Sequence, residues 1–68
     1  MATLTERIGK KIRALRKKKG LSQEQLAYES GLDYSYLNQI EAGKRNLSVK
    51  SVARIAKALG VKIEEIVK

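Results

Sequence analysis

The chain contains no cysteine and no histidine. Without cysteine it can form neither a disulfide nor a thiolate metal site, which fits a reducing compartment. Without histidine it also lacks the commonest general base. The carboxylates are scattered along the chain, apart from adjacent Glu64 and Glu65, which point in different directions on a helix. No nucleophile–base pair or phosphate-binding glycine loop is evident either. The sequence therefore predicts no enzyme activity, no metal and no cofactor, and it indicates no small-molecule ligand.

The chain also has no proline, phenylalanine or tryptophan, and no long apolar run. Nothing approaches the roughly 20 apolar residues that a helix needs to cross a bilayer. The N-terminus lacks the apolar region of a signal peptide, so we expect a cytoplasmic protein. Its core must be built from interlocked aliphatic side chains. With 68 residues, we expect one domain over 1–68.

What the chain has in excess is positive charge. Fifteen Lys and Arg residues stand against seven Asp and Glu, for a formal net charge of +8. Self-repulsion of this kind destabilises a small fold, and a polyanionic partner, nucleic acid first, is a reason to tolerate it. A solvated basic face is the plainer interpretation. Membrane association through the basic first helix is disfavoured, because its apolar stripe is needed for the core and Trp and Phe are absent.

Capping signals divide the chain into five helices. Thr3 with Glu6, and Ser22 with Gln25, have capping-box spacing. Asp33 and Ser48 are further N-cap residues, and glycines after the helices suit left-handed closing positions. Strand alternation, repeats and linkers are absent from the pattern. We therefore expect an all-α, compact five-helix domain with helices at about 4–18, 22–31, 34–42, 48–60 and 63–67.

Two helices carry clear apolar stripes for a core. The first stripe falls within about 80° of a helical wheel and consists of Leu4, Ile8, Ile12 and Leu15. The second lies on one arc and consists of Val49, Val52, Ile55, Ala56 and Leu59. The C-terminal helix is short and begins after Lys62, a poor cap residue. Its apolar side chains need a partner, either the core or a second subunit.

The segment 22–41 has the spacing of a helix-turn-helix unit. Counted from Gln23 as the first position, the fifth is the small Ala27, where the two helices approach closely. The ninth is Gly31, which tolerates a positive φ. The fifteenth and eighteenth, Leu37 and Ile40, are apolar and suited to burial. The match at all four positions predicts that the second helix, 34–42, can lie in a DNA major groove.

Four stretches of the chain resemble the Cro and phage-repressor family of helix-turn-helix regulators. They are IRALRKKKGLSQEQLA, the turn SGL, SYLNQIEAGKRN and IAKALGV, and together they span nearly the whole length. Within that family the run LAYESGLDYSYLNQIEAGKRNLSVKS resembles the controller proteins of restriction–modification systems. The resemblance implies a lambda-repressor-like DNA-binding domain whose partner is double-stranded DNA.

The outward face of the predicted recognition helix is polar. On a helical wheel its residues follow one another in the order Tyr34, Asn38, Ser35 and Gln39, within an arc of about 140°. Hydroxyls and amides of this kind can bind base edges. The resemblance implies base contacts for Tyr34, Ser35 and Gln39, and also for Arg45 after the helix. Family members often carry Gln or Arg where this chain has Tyr34, so the base that Tyr34 reads is open.

Other residues around this helix are expected to hold the DNA backbone. Gln23 lies in the first turn of a helix, where free N–H groups and the positive dipole end favour a phosphate. The resemblance implies that this glutamine also braces the recognition helix, and it implies an ion pair between Arg16 and Glu41 that fixes the angle of that helix. The expected backbone contacts are Ser22, Gln23, Tyr36, Lys44, Asn46 and Lys50.

A single module of this kind reads too few base pairs for specificity in a genome. A homodimer on a palindromic operator solves this. We expect its interface at the C-terminal surplus of apolar residues, Val61, Ile63, Ile66 and Val67. The predicted function is a sequence-specific transcriptional regulator, with a restriction–modification controller as the finer possibility. The alternative is an antitoxin-type protein-interaction module with the same fold.

Overall fold

Five α-helices in a computed structural model account for most of residues 2–68, the part of the chain that the structure describes. This part contains no β-strand, and the all-α prediction is confirmed. The helices are α1 (Leu4–Lys18), α2 (Gln23–Ser30), α3 (Tyr34–Glu41), α4 (Val49–Leu59) and α5 (Ile63–Val67).

The predicted caps begin the first four helices. Thr3 and Ser22 each form both hydrogen bonds of a capping box. Asp33 accepts a hydrogen bond from the Ser35 N–H, and Ser48 accepts one from the Ser51 N–H. These bonds satisfy backbone donors that a helix start otherwise leaves without partners. The local signals therefore decide where α1 to α4 begin.

The helices enclose one aliphatic core. α3 lies against α1 and α2, α4 lies against α2 and α5, and α5 also contacts α1. As the lack of Phe and Trp predicts, the largest fully buried side chains are all aliphatic: Ile12, Leu26, Leu37, Ile40, Ile55 and Ile66. Each of the five helices contributes at least one of them, so every helix is anchored in the core.

Two glycines allow backbone arrangements that place α3. Gly31 has φ +69° in the turn between α2 and α3, as its position in the motif predicts. Gly9 lies where α1 crosses the C-terminal end of α3, and a Cβ there would collide with the carbonyl oxygen of Ile40. Gly9→Ala would therefore push α1 and α3 apart.

Two residues of the expected apolar stripes lie outside the core. Val49 is 82% exposed and Leu4 is 60% exposed, so their assignment to the buried stripes was wrong. Each is the first residue of its helix. Because helical side chains tilt toward the N-terminus, a side chain at the first position points past the end of the helix. There the neighbouring helices do not cover it.

The C-terminal apolar residues divide between the core and the surface. Ile66 is only 1% exposed and belongs to the core, so its placement in a subunit interface was wrong. The short α5 can anchor itself only by burying one side chain, and Ile66 is the residue that faces inward. Val61 is partly buried against the core, while Ile63 and Val67 remain exposed. Lys62 forms no side-chain cap, although the Glu65 carboxylate accepts from its backbone N–H at 2.9 Å.

Candidate nucleic-acid interface

The polar arc of α3 faces away from the core. Leu37 and Ile40 are fully buried on the inner side of the helix. Tyr34, Ser35 and Asn38 are exposed on the other side. The fourth residue of the arc, Gln39, is partly buried. The structure thus brings the four predicted base-reading residues of α3 onto one accessible face.

A buried ion pair fixes α3 to α1. The Arg16 guanidinium donates from Nε to Glu41 Oε2 at 2.8 Å and from Nη2 to Glu41 Oε1 at 3.0 Å. Only 9% of the Arg16 side chain and 2% of the Glu41 side chain are exposed. Arg16 Nη1 also donates to the carbonyl oxygen of Leu21 at 2.8 Å. A bidentate contact fixes orientation as well as distance, so this pair sets the angle of α3 against α1.

Gln23 connects this ion pair to the exposed face of α3. Its Nε2 donates to Glu41 Oε1 at 3.1 Å, and its Oε1 accepts from Asn38 Nδ2 at 3.0 Å. Gln23 is the first residue of α2. One side chain therefore links α2 to the buried carboxylate and to an exposed amide on α3.

A second group of contacts joins the end of α3 to the start of α4. Arg45 Nη1 donates to Gln39 Oε1 at 3.3 Å, and its guanidinium carbon lies 5.1 Å from the centre of the Tyr36 ring. That distance is within the range of a cation–π contact. The Tyr36 hydroxyl in turn donates to Ser51 Oγ at 3.2 Å. Gln39, Tyr36 and Arg45 therefore share one patch beside the polar arc.

The remaining residues that are expected to contact the DNA backbone lie around this patch. Lys44 and Lys50 are exposed, in the loop after α3 and in the first turn of α4. Asn46 belongs to the same loop, and its Oδ1 accepts a hydrogen bond from the Thr5 hydroxyl of α1. Ser22 is exposed at the N-terminus of α2, where its hydroxyl caps the helix. Cationic and polar groups thus surround the polar arc of α3 on the side of α2 and on the side of the loop.

Three contacts were missed by the sequence reasoning. Ser51 binds Tyr36, and Thr5 binds Asn46. Glu6 lies directly against Gly43, where a Cβ would meet its side chain. The Ser48–Ser51 spacing at the start of α4 was the one local signal for Ser51. Thr5 and Glu6 gave none, because their partners lie about forty positions along the chain.

The pKa of the Glu6 carboxyl is lowered from its usual value. The Thr3 backbone N–H, which donates to it at 2.9 Å, is the largest cause, and the Thr3 hydroxyl is the second. Both contacts favour the charged form of the carboxylate. Lys10, farther along α1, acts in the same direction. The first turn of α1, which touches the loop after α3, thus holds a carboxylate whose charged form is favoured.

Within residues 2–68, no group of three or more Cys, Asp or Glu side chains is placed to hold a metal ion. In the same part of the chain, no helix is long and apolar enough to cross a membrane.

Comparisons with known proteins agree with this geometry. The family described as helix-turn-helix matches residues 12–66. The control protein C.BamHI of Bacillus amyloliquefaciens is 42% identical over 59 residues, which are 85% of this chain and 73% of that protein. The control protein C.MunI of a Mycoplasma species is 43% identical over 61 residues, 88% of this chain and 82% of that protein.

A solved structure extends the likeness from sequence to fold. The restriction–modification controller protein C.AhdI from Aeromonas hydrophila superposes with a TM-score of 0.89 at 44% identity, covering 97% of this chain and 98% of that one. The resemblance predicted from the sequence motifs is therefore confirmed. The polar, exposed α3 stands on an aliphatic helical core, and the family match covers α2, α3, α4 and most of that core. The chain belongs to the helix-turn-helix family and is a DNA-binding transcriptional regulator.

Proposed function

We propose that this protein binds a palindromic operator in double-stranded DNA as a homodimer, with α3 of each subunit in the major groove. The observation that carries the proposal is the outward polar face of α3, which the Arg16–Glu41 pair holds at a fixed angle. A helix that reads bases must present short polar groups and must not rock against its support. No catalytic step is part of this role.

Base reading falls to the polar arc of α3 and to Arg45. Ser35 and Asn38 can approach base edges directly because both are exposed. Gln39 and Arg45 are hydrogen-bonded to each other, so we expect them to act as a unit. Arg45 supplies a guanidinium that suits guanine O6 and N7. Tyr34 adds a ring and a hydroxyl at the start of the helix, a position suited to a thymine methyl or a backbone oxygen.

The proposed contacts to the DNA backbone come from groups on both sides of that arc. Ser22 and Gln23 lie at the N-terminus of α2, where N–H groups and the helix dipole favour a phosphate. Lys44, Asn46 and Lys50 supply donors after α3. Tyr36 completes the set, since its hydroxyl can exchange Ser51 for a phosphate oxygen. Contacts of this kind position the protein without reading sequence.

The dimer interface is proposed at the C-terminal end. Ile63 and Val67 are exposed, and Val61 is only partly covered. A two-fold contact there would bury apolar surface that the single chain leaves in water. A two-fold operator further requires that the two α3 helices of the dimer lie about one turn of DNA apart.

Similarity to control proteins suggests the biological setting. C.BamHI, C.MunI and C.AhdI are named as control or controller proteins, and this chain is more than 40% identical to each. We therefore propose that it controls a restriction–modification system. A protein that acts on chromosomal or plasmid DNA would work in the cytoplasm, at the nucleoid.

Selection from a random DNA pool tests this function. The wild-type protein should enrich one palindromic sequence with half-sites about one helical turn apart. Ser35→Glu places a carboxylate on the reading face, near a helix start that tolerates negative charge, and should abolish enrichment. Tyr28→Glu makes the same charge change at a position that is 88% exposed on α2 and outside the proposed contacts, so it should enrich the wild-type sequence. Absence of any enriched sequence with the wild type contradicts the proposal.

A further inference from the structure

Three side chains form an ordered chain of hydrogen bonds from the core to the reading face. Glu41 Oε1 accepts from Gln23 Nε2, and Gln23 Oε1 accepts from Asn38 Nδ2. The N···O distances are 3.1 and 3.0 Å. Because Glu41 is paired with Arg16 and buried, one end of this chain of bonds is firmly held.

The carboxylate decides the direction of both bonds. An ionised carboxylate can only accept hydrogen bonds, whereas an amide group can donate from nitrogen and accept at oxygen. Gln23 must therefore turn its nitrogen toward Glu41, which leaves its oxygen toward Asn38. Asn38 must in turn point its nitrogen at that oxygen. A flip of either amide, exchanging its nitrogen and its oxygen, would bring oxygen against oxygen and break the chain of bonds.

The direction of these bonds has a consequence at Asn38, the outer end of the chain of hydrogen bonds. Asn38 is exposed, and within residues 2–68 no side chain donates to its Oδ1. That oxygen remains available to a donor from the DNA. In the major groove the base donors are the exocyclic amino groups, N4 of cytosine and N6 of adenine.

We infer that Asn38 reads an exocyclic amino group of cytosine or adenine through Oδ1, and that Glu41 and Gln23 are positioning residues that set this polarity. The inference rests on the proposed function, because it assumes that α3 enters the major groove. The second N–H of Asn38 stays free, so adenine could add a contact through N7, whereas cytosine could not. The amino group is the requirement common to both bases.

The test uses the operator that the random-pool selection yields. The Asn38 base pair is the one whose preference disappears when the selection is repeated with Asn38→Ala. Two duplexes are then compared: the operator itself, and the operator with that amino group removed, by 2-pyrimidinone in place of cytosine or by purine in place of adenine. For each protein variant, the dissociation constant for the modified duplex is divided by that for the operator, which gives one ratio.

For the wild type, removal of the amino group should weaken binding about tenfold, the worth of one good base contact. For Asn38→Ala the ratio should fall below about twofold, and this remainder measures the base-pairing bond that only the modified duplex loses. Gln39→Ala is the matched control, since it removes the neighbouring amide and should keep the wild-type ratio at the Asn38 pair. A ratio near one for the wild type, or equal ratios for the wild type and Asn38→Ala, overturns the inference.

Gln23→Ala tests the positioning role. Loss of a phosphate contact alone lowers affinity for both duplexes equally and leaves the ratio unchanged. If Gln23 also orients Asn38, the ratio should fall to about threefold or less, because the freed amide can turn either way. An unchanged ratio overturns the role of Gln23.

Failures of the inference and of the proposed function look different. If no DNA sequence is enriched, both are overturned. If a sequence is enriched but Asn38→Ala changes no preference, or the amino group proves dispensable, only the inference fails.

Discussion

The helices α3 and α5 are both too short to be stable alone, yet the fold holds them in different ways. α3 has a capping side chain at Asp33, a bidentate ion pair through Glu41 and an amide contact through Asn38, besides its buried Leu37 and Ile40. α5 has no N-cap side chain and one fully buried residue, Ile66. Directional polar contacts fix the orientation of a helix. A single buried apolar side chain fixes only how deeply the helix packs into the core. The contrast fits the roles proposed above, base reading for α3 and a subunit contact for α5.

Breaking the ion pair that joins α3 to α1 should have the largest effect on the free energy of unfolding. Glu41→Ala leaves the buried Arg16 guanidinium without its carboxylate, and one-sided loss of a buried pair costs about 3–5 kcal/mol. Glu24→Ala is the matched control, because Glu24 is exposed in the first turn of α2. Its loss should cost about 0.3–1 kcal/mol.

Thermal unfolding of both variants at neutral pH measures the difference. In a domain of this size 1 kcal/mol corresponds to a shift of about 4–8 °C. Glu41→Ala should therefore melt far below Glu24→Ala. Equal melting temperatures would show that the pair does not hold α3.

Core packing and the proposed subunit contact of α5 should depend on two different, adjacent residues. Ile66→Ala creates a cavity in the core and should cost about 2–5 kcal/mol of stability. Val67→Lys changes a side chain that is 41% exposed, so it should leave the free energy of unfolding nearly unchanged at a protein concentration where the chain is monomeric. It should nevertheless weaken self-association by placing a charge in the proposed interface.

Denaturant titration and sedimentation equilibrium distinguish these outcomes. A Val67→Lys variant that still associates as tightly as the wild type would move the interface away from α5. A wild type that sediments as a monomer at high micromolar concentration, with and without operator, would remove the dimer from the proposal.

Salt dependence should show the electrostatic part of DNA binding. Each neutralised phosphate contributes about 0.9 to the slope of log affinity against log salt concentration. Lys44→Ala, counted once in each subunit of a dimer, should reduce the slope by about 1.8. Lys57→Ala, an exposed lysine in the last turn of α4, is the control and should not change it. A shallow slope for the wild type would leave the charge of +8 without a role in binding.

The smallest effect concerns pH and the start of α1. Since the pKa of Glu6 is lowered in the folded protein, its contribution to stability is complete above the unfolded pKa. It is lost as the pH falls through the lower, folded pKa. Glu6→Gln can still accept the Thr3 N–H but carries no charge.

Melting temperatures of both proteins between neutral pH and the acidic range test this. The wild type should lose slightly more stability than Glu6→Gln as the pH falls. Parallel curves would mean that the Glu6 charge contributes nothing to the capping of α1.

Local signals in the sequence account for most of the fold. The caps at Thr3, Ser22, Asp33 and Ser48 act within three residues, so spacing alone reveals them. Motif spacing likewise predicted the turn at Gly31. The exposure of Val49 was missed because a helical wheel gives the direction of a side chain but not whether another helix lies there.

The site was less accessible to sequence reasoning. The residues of the exposed polar face of α3 follow from helical period. The resemblance implied a contact between Arg16 and Glu41, whose atoms the structure places 2.8 Å apart. The bond from Gln23 to Asn38 depends on the rotamers of two long polar side chains on different helices. No spacing rule encodes it, because it exists only once α2 and α3 are packed together.

Two substitutions compared in one random-pool selection show directly whether α3 is the element that reads bases. If α3 reads bases and the following loop holds the backbone, Gln39→Ala should lose preference at one or two positions of each half-site. Lys44→Ala should enrich the wild-type sequence and bind every sequence more weakly. The reverse pattern, with specificity lost in Lys44→Ala and retained in Gln39→Ala, would contradict the assignment of α3 as the reading element.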